Sequence, residues 1–356
     1  MLRTDTQSPP RQILPIQYLR GIAAVFVVLF HSVGQRPDVA AILPSTFGNS
    51  GVDLFFVISG FIMVVTTRNS RMSAREFFRR RVVRVVPLYW LLTLAMVAAA
   101  VAVPALVRTL IVTPKTLLES LLFIPHFSHS FPTKVWPLLV PGWTLNFEMF
   151  FYLVFAGSLL LPLRTRLPAL AATFAVLVGS GFLFGPFASA AAQVYTSPVL
   201  LEFVAGALIA NWWLSGSFPA SMAASVVCIG VGAVLLVLRD QYPLGSFNQM
   251  TGAALVVFGS LHPSFATWLN RPLKALGDSS YSLYLTHLFT LGVLRVVWAH
   301  IFKGPTTLPL AALFVMFCVV TASVIGYLVY RWIETPLLHR LQHVGRPRAA
   351  LAPTTP

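Results

Sequence analysis

"QYLRGIAAVFVVLFHS", residues 17–32, is an apolar stretch broken by one arginine near its start and one histidine near its end. As a helix turning about 100° per residue, it returns Arg20 and His31 to one face, roughly 16 Å apart along the axis. That distance places one ionisable group toward each end of a hydrocarbon slab about 30 Å thick. Ionisable groups inside a span are costly and are functional by default. Each also has a plain structural reading: an arginine at a span's edge reaches back to headgroups, and a histidine at the other edge meets water.

The composition makes the membrane reading general. Of 356 residues, 57% are hydrophobic and 10% charged, and the mean hydropathy is +0.79. A soluble chain of this size would lack the polar surface to cover such a core. The formal charge of +15 sits in short connections between apolar runs, where it orients a membrane protein and touches anionic lipids; nucleic acid is not expected as a partner. Cys228 and Cys318 lie within apolar runs, so they imply neither an oxidised framework nor a metal cluster. The first apolar run leads into "GNSGVDLFF" rather than a small-residue cleavage site, which marks it as a retained span.

A window of about 19 residues predicts an all-α, polytopic integral membrane protein. Ten transmembrane helices are expected, at 16–34, 51–67, 85–107, 143–163, 167–186, 199–214, 222–238, 249–262, 280–302 and 307–331. With both termini in the cytoplasm, eighteen Lys and Arg lie inside and six outside, with Arg295 within a span, the bias expected of cytoplasmic loops. The domain plan is a cytoplasmic segment 1–15, a membrane domain 16–335 and a cytoplasmic tail 336–356. The stretch 116–127 is too short to cross and is expected to be an outer-surface or re-entrant helix. No internal repeat or low-complexity segment is evident.

Depth then sorts the polar residues. Arg20 falls toward the cytoplasmic side, while His31, Asp53 and Glu148 are expected to gather near the outer side. Asp53 also suits a helix N-cap. The run 68–87, "RNSRMSAREFFRRRVVRVVP", places Arg80, Arg81 and Arg84 on the cytoplasmic side. They include an i, i+3 and an i, i+4 pair, an arrangement that invites an anion. Tyr281, Tyr284 and His287 share a helical face and suit either a cofactor path or interhelical hydrogen bonds. Asp53, Trp143 and Glu202 are candidates for the substrate side. Glu334 reads as a cytoplasmic ion-pair partner. His126 and His129 form a weak metal pair with no third ligand nearby, so no metal site is assigned.

The motifs "YLRGIAAVFVVLFHS", "GVDLFFVISGFIM", "FFRRRVVRVVPLYW", "WTLNFEMFFY", "SYSLYLTH" and "WIETP", in this order and spacing, resemble the acyltransferase family 3 integral membrane proteins. The resemblance runs from about residue 14 to 340 and is nearest to the exopolysaccharide O-acetyltransferases of bacteria. It implies an enzyme of the bacterial cytoplasmic (inner) membrane that moves an acetyl group from acetyl-CoA to a carbohydrate hydroxyl. It implies His31 and Arg20 as the essential pair, Glu148 as the acid of "WTLNFE", and Arg80, Arg81 and Arg84 as ligands of the CoA phosphates. Gln17 stands where many members carry an acid, and Thr144 where serine is commoner.

The chemistry suits those residue types. A histidine can take the proton of a sugar hydroxyl as it attacks a thioester, and an adjacent Glu148 would orient the imidazole. Arginines would hold a multiply charged donor, with Ala23, Ala24 and Val27 leaving room for its arm. No permanently bound cofactor is expected; acetyl-CoA is a substrate. Expected partners are membrane lipids, a carbohydrate acceptor that is lipid-linked or free, and polysaccharide assembly machinery. No soluble esterase-like domain is expected after the last span, so acceptor handling is expected to fall to the membrane unit or a partner. The same ten spans with buried charge would also suit a transporter of an anion or lipid-linked sugar.

Overall fold

Every long apolar run is helical in the computed structural model, which describes residues 13–44, 46–70, 72–102, 110–216, 221–238, 245–267 and 270–343; no strand occurs among the described residues. The first half contains α1 (Leu14–Gly34), the single turn α2 (Pro37–Ala40), α3 (Ser50–Thr67), α4 (Ala74–Ala102), α5 (Pro114–Leu121), α6 (Trp143–Ser158) and α7 (Leu163–Phe184). The second half contains α8 (Ala190–Tyr195), α9 (Leu200–Leu214), α10 (Met222–Val237), α11 (Gly245–Ser260) and the turn α12 (Pro263–Ala266). It continues through α13 (Arg271–Asp278), α14 (Ser280–Ile301), α15 (Leu308–Val329) and α16 (Thr335–His343).

Seven helical stretches among the described residues are long and apolar enough to cross a membrane: α1, α3, α4, α7, the run Ala190–Leu214, α14, and α15 continued to Leu341. The other three expected spans fold as α6, α10 and α11, of 16 residues each. Sixteen residues make about 24 Å of helix, short of a hydrocarbon core of about 30 Å. The ends of the domain plan, 1–12 and 344–356, and residues 103–107 of the third expected span lie outside the described residues. The tail expected from 336 begins as helix α16.

Two boundaries shift for visible reasons. Helix α4 starts at Ala74, well before residue 85, because the arginine run is itself amphipathic: Phe77, Val85, Leu88 and Tyr89 are buried along it. Helix α6 begins inside the molecule. The segment before it folds back along α4, where the Tyr89 hydroxyl donates to Ser120 O at 3.1 Å and Trp90 Nε1 donates to Leu121 O at 2.7 Å. Both contacts fall near the middle of α4. Thr113 and Thr116 close a reciprocal cap at the start of α5, satisfying donors that the short helix cannot. The 116–127 stretch is thus partly helical, leans on α4 and does not cross.

Helix α1 packs against α3, α13, α14 and α15, which makes it the axis of the bundle. The closest crossing joins α3 to α9. A Cβ on Gly60 would lie 1.9 Å from Phe203 O, and one on Gly206 would lie 1.9 Å from Val57 O. Small residues there let the backbones touch, the usual device of helix pairs in lipid. Gly206→Ala is expected to force the helices apart and cost about 1–3 kcal/mol, read as a lower thermal midpoint of detergent-purified protein. Gly157→Ala, where no atom lies within 4 Å, is the control and should stay within about 0.5 kcal/mol of the parent. Equal midpoints for the two variants would refute the close crossing.

Candidate active site

Packing of α4 divides the arginine run. The face carrying Phe77, Val85 and Leu88 is buried, and it takes Arg81 and Arg84 inward with it. Arg81 lies over the rings of Phe77 and Tyr152, at 5.5 and 5.9 Å. Arg84 lies over Tyr281 at 5.6 Å and pairs with Glu334. Arg80 points the other way and pairs with Glu76 at the surface, 2.5 Å away, so the expectation that it joins the anion site does not hold. One helical step of about 100° separates it from Arg81, and burial decides between them.

Glu334 is an ion-pair partner as expected, but a buried one, 1% exposed. The chain widens into one π-type turn at Tyr330–Glu334, which turns this carboxylate toward Arg84 and the Ser282 hydroxyl, both of which donate to it. Charge-assisted bonds of this kind hold a guanidinium in one place.

Arg20, Arg81 and Arg84 line a cavity of about 150 Å³ together with Glu148, Tyr152, Tyr281 and Tyr284. Three guanidinium groups against one carboxylate leave its wall positive. Arg20 and Arg84 also line a second cavity of about 270 Å³, with Gln17, Asp278 and Tyr330. The two cavities therefore share a wall of arginine. Gln17 accepts from Arg20 at 3.3 Å but adds no charge. Among the described residues, Arg81 Nε and Ser280 Oγ, both on wall residues of the first cavity, have no hydrogen-bond partner. Buried donors are rarely left so, and a bound anion would satisfy them.

Glu148 belongs to this arginine end. Its carboxylate accepts from Tyr152, one turn on in α6, and from Ser59 of α3 at 3.2 Å. The expectation that it stands beside His31 is corrected, and the reason is geometric. Because α6 starts near the level of Tyr89, five residues carry Glu148 about 7.5 Å further toward the arginines. Sequence reasoning missed Tyr152 and Ser59. The i, i+4 spacing of Glu148 and Tyr152 was the available signal for the first; nothing in the sequence pointed to the second.

What stands beside His31 is His287, with ring centroids 4.8 Å apart. The His31 Nδ1 donates to Val27 O at 2.9 Å and the His287 Nδ1 donates to Tyr284 O at 2.6 Å. A carbonyl only accepts, so in both neutral rings the proton is on Nδ1 and Nε2 is the basic atom. His287 is fully buried and its Nε2 has no partner among the described residues. Along α14, Tyr281, Tyr284 and His287 form a column. Tyr281 donates to Val85 O at 2.6 Å beside the arginines. Tyr284 lines the cavity, and its ring centroid lies 5.9 Å from that of His287. Thr144 keeps the hydroxyl that serine would supply: its Oγ1 lies 2.9 Å from the Tyr284 hydroxyl, and both reach the Pro141 carbonyl.

The remaining expected residues lie elsewhere. Asp53 is buried in the first turn of α3, where Asn49 takes the cap position. Glu202 is buried in α9, and Trp143 packs edge-on against Phe147 at 5.9 Å; none of the three lines the arginine cavity. Ala23, Ala24 and Val27 are packed rather than open, and a Cβ on Gly51 would lie 2.2 Å from Ala23 O. The 150 Å³ cavity takes its walls from α3, α4, α6 and α14 with Arg20 of α1, not from that face of α1, and His31 and His287 lie beyond its lining.

A clasp closes the histidine end. Asp38, just after α1, accepts from Arg36 Nη2 at 2.6 Å and from Thr306 of the connection before α15. These hydrogen bonds hold the Asp38 carboxyl well below the usual carboxylate range. A carboxyl depressed on folding stabilises fully above its unfolded pKa of about 3.9 and loses that stabilisation as pH falls through the folded value. The midpoint of Asp38→Asn should therefore lie below the parent's at neutral and mildly acid pH, with the gap closing only in strong acid. A gap independent of pH would refute the clasp.

A family model described as an acyltransferase domain matches residues 14–328. The exopolysaccharide production protein ExoZ of Rhizobium meliloti (strain 1021) is 40% identical over 311 residues, which cover 86% of this chain and 93% of that protein. The O-acetyltransferase OatA of Staphylococcus aureus is 24% identical over 371 residues, spanning 94% of this chain but 58% of OatA. The acyltransferase MdmB of Streptomyces mycarofaciens is 25% identical over 97% of this chain and 96% of its own. No solved structure matches.

Proposed function

Given that the chain belongs to the acyltransferase-domain family, we propose that it is an O-acetyltransferase that moves an acetyl group from acetyl-CoA to a hydroxyl of an exopolysaccharide sugar. The observation that carries this reading is the column from arginines to paired histidines along α14. Its arginine end suits the phosphates of CoA: the nucleotide in the 270 Å³ cavity, the pantetheine arm in the 150 Å³ one. Its histidine end suits the thioester and the acceptor.

In this reaction the acceptor O–H donates to His31 Nε2. As the oxygen adds to the thioester carbonyl, the proton passes to Nε2. Collapse of the tetrahedral intermediate breaks the C–S bond, and the proton returns to the leaving thiolate as CoA–SH. Glu148 offsets part of the arginine charge rather than orienting the base. The arginine end is assigned to the cytoplasmic side of the bacterial inner membrane, the side where CoA is found and where arginine-rich connections are retained. Membrane lipids surround the bundle, and the acceptor is taken while membrane-associated.

The test is the proton spectrum of purified polysaccharide, before and after mild base, from deletion and complemented strains. The O-acetyl signal should vanish in the deletion strain and return on complementation. Persistence of that signal, with loss of an acetylated lipopolysaccharide or small molecule, would overturn the acceptor. Accumulation of labelled substrate on one side of vesicles, with no acetylated product changed, would favour a transporter.

A further inference from the structure

The segment between α4 and α6 meets the column at the Pro141 carbonyl, and the rest of it is tied into a structure of its own. Leu138 N donates to Ser120 Oγ at 3.0 Å and Ser128 N donates to Lys134 O at 2.9 Å, so its arms are tied to each other and to α4. They enclose a cleft of about 140 Å³ whose wall includes His126, Ser128, Ser130, Phe131 and Trp136, with Met96 of α4 beneath. Met96 is fifteen residues beyond Arg81 in one helix, about 22 Å further along its axis. The cleft therefore opens at the end of the molecule opposite the arginines.

Its chemistry is specific. The rings of Phe131 and Trp136 lie 5.4 Å apart at 66°, forming an apolar corner, and Phe131 is 45% exposed. Ser130 Oγ accepts from Ile111 N at 3.2 Å and Ser128 Oγ accepts from Phe131 N at 3.3 Å, so each hydroxyl keeps its proton to donate. The His126 Nδ1 donates to Ile124 O at 3.0 Å and lies 3.9 Å from Glu119 Oε2, a carboxylate that is not among the cleft's lining residues. No Lys, Arg, Asp or Glu is among the described residues lining the cleft, although the chain carries a formal charge of +15. An aromatic corner edged by neutral donors and acceptors suits a ring with apolar C–H faces and hydroxyls around its rim. A phosphate would call for cations.

The cleft also adjoins the arginine cavity. Val140 lines the cleft, Thr144 and Leu145 line the arginine cavity, and the carbonyl of Pro141 between them receives the Tyr284 hydroxyl. We propose that this cleft, built on Trp136, Phe131 and the hydroxyls of Ser128 and Ser130, is a docking subsite for a neutral sugar residue of the acceptor glycan. Resting on the O-acetyl transfer reading, it adds that the acceptor is held by a sugar other than the one acylated. A loop already tied by its own hydrogen bonds would supply that hold at a reduced ordering cost on binding.

The probe is the repeat oligosaccharide from the producing strain's exopolysaccharide, stripped of esters by mild base. It is titrated calorimetrically into full-length His31→Ala protein, with and without Trp136→Ala. Loss of the indole should weaken binding about ten-fold, Trp136→Phe should recover most of it, and Ser130→Ala should weaken it about three-fold. In the active enzyme the same variants should raise KM for the oligosaccharide by the same factors. Should Trp136→Ala not fold, Trp136→Phe with Ser130→Ala carries the comparison. Transfer of labelled acetyl to the oligosaccharide, with binding unmoved by these changes, overturns the cleft and leaves O-acetyl transfer standing. Trp136-dependent binding without any transfer supports the cleft and overturns the transfer reading. Absence of binding to the His31→Ala protein overturns the cleft.

Discussion

His31→Ala is expected to lower turnover with acetyl-CoA and the de-O-acetylated acceptor by at least about 10²-fold, with the Kd for acetyl-CoA within about two-fold of the parent. The split follows from geometry. His31 meets His287 at one end of the column, whereas the groups suited to the donor's phosphates stand at the other. A half-buried side chain whose Nδ1 bonds to its own helix contributes little to packing, so the variant should insert and purify as the parent does. Radiolabelled transfer together with equilibrium donor binding separates the two quantities. Activity within a few-fold of the parent would remove His31 as the base, and equal loss of donor binding would make it a binding residue instead.

Neutralising the inward arginines has the next largest effect, on the donor. Arg81→Gln and Arg84→Gln are each expected to raise the Kd for acetyl-CoA by about 10- to 100-fold, the worth of one or two hydrogen bonds to a charged group. Arg80→Gln should leave it within about two-fold, because Arg80 is exposed and already paired with Glu76, a surface pair of small worth. Arg84 also neutralises the buried Glu334, and removing one partner of a buried pair destabilises by itself, by about 3–5 kcal/mol. The double variant Arg84→Gln with Glu334→Gln removes both charges and keeps the fold comparison fair. Unchanged affinity in Arg81→Gln and in the double variant would return the whole run to membrane anchoring.

Much of the molecule could be read before any coordinates. Few charges among long apolar runs settle the helical membrane class, because backbone groups in hydrocarbon must bond within their own segment. The six linked motifs point to the family, and they name His31, Arg20, Arg80, Arg81, Arg84 and Glu148, as well as the face shared by Tyr281, Tyr284 and His287. These are local facts, carried by composition and helical spacing.

What tertiary structure alone decided is which of these groups meet. Depth could not be counted from span ends for Glu148, because α6 starts beside the middle of α4 and carries the acid to the arginines. The identity of the histidine's neighbour could not be counted either: His287 is 256 positions from His31, and only the packing of α14 on α1 brings the rings together. Arg80 and Arg81 are indistinguishable by residue type and differ by one step of rotation, yet burial of Phe77 and Val85 sends one to solvent and the other to the cavity. Helix length among the described residues was likewise not countable from hydropathy: seven stretches reach crossing length, while α6, α10 and α11 have 16 residues each. Periodicity specifies the faces of a helix; which face is covered, and at what depth it begins, is settled by the helices packed against it.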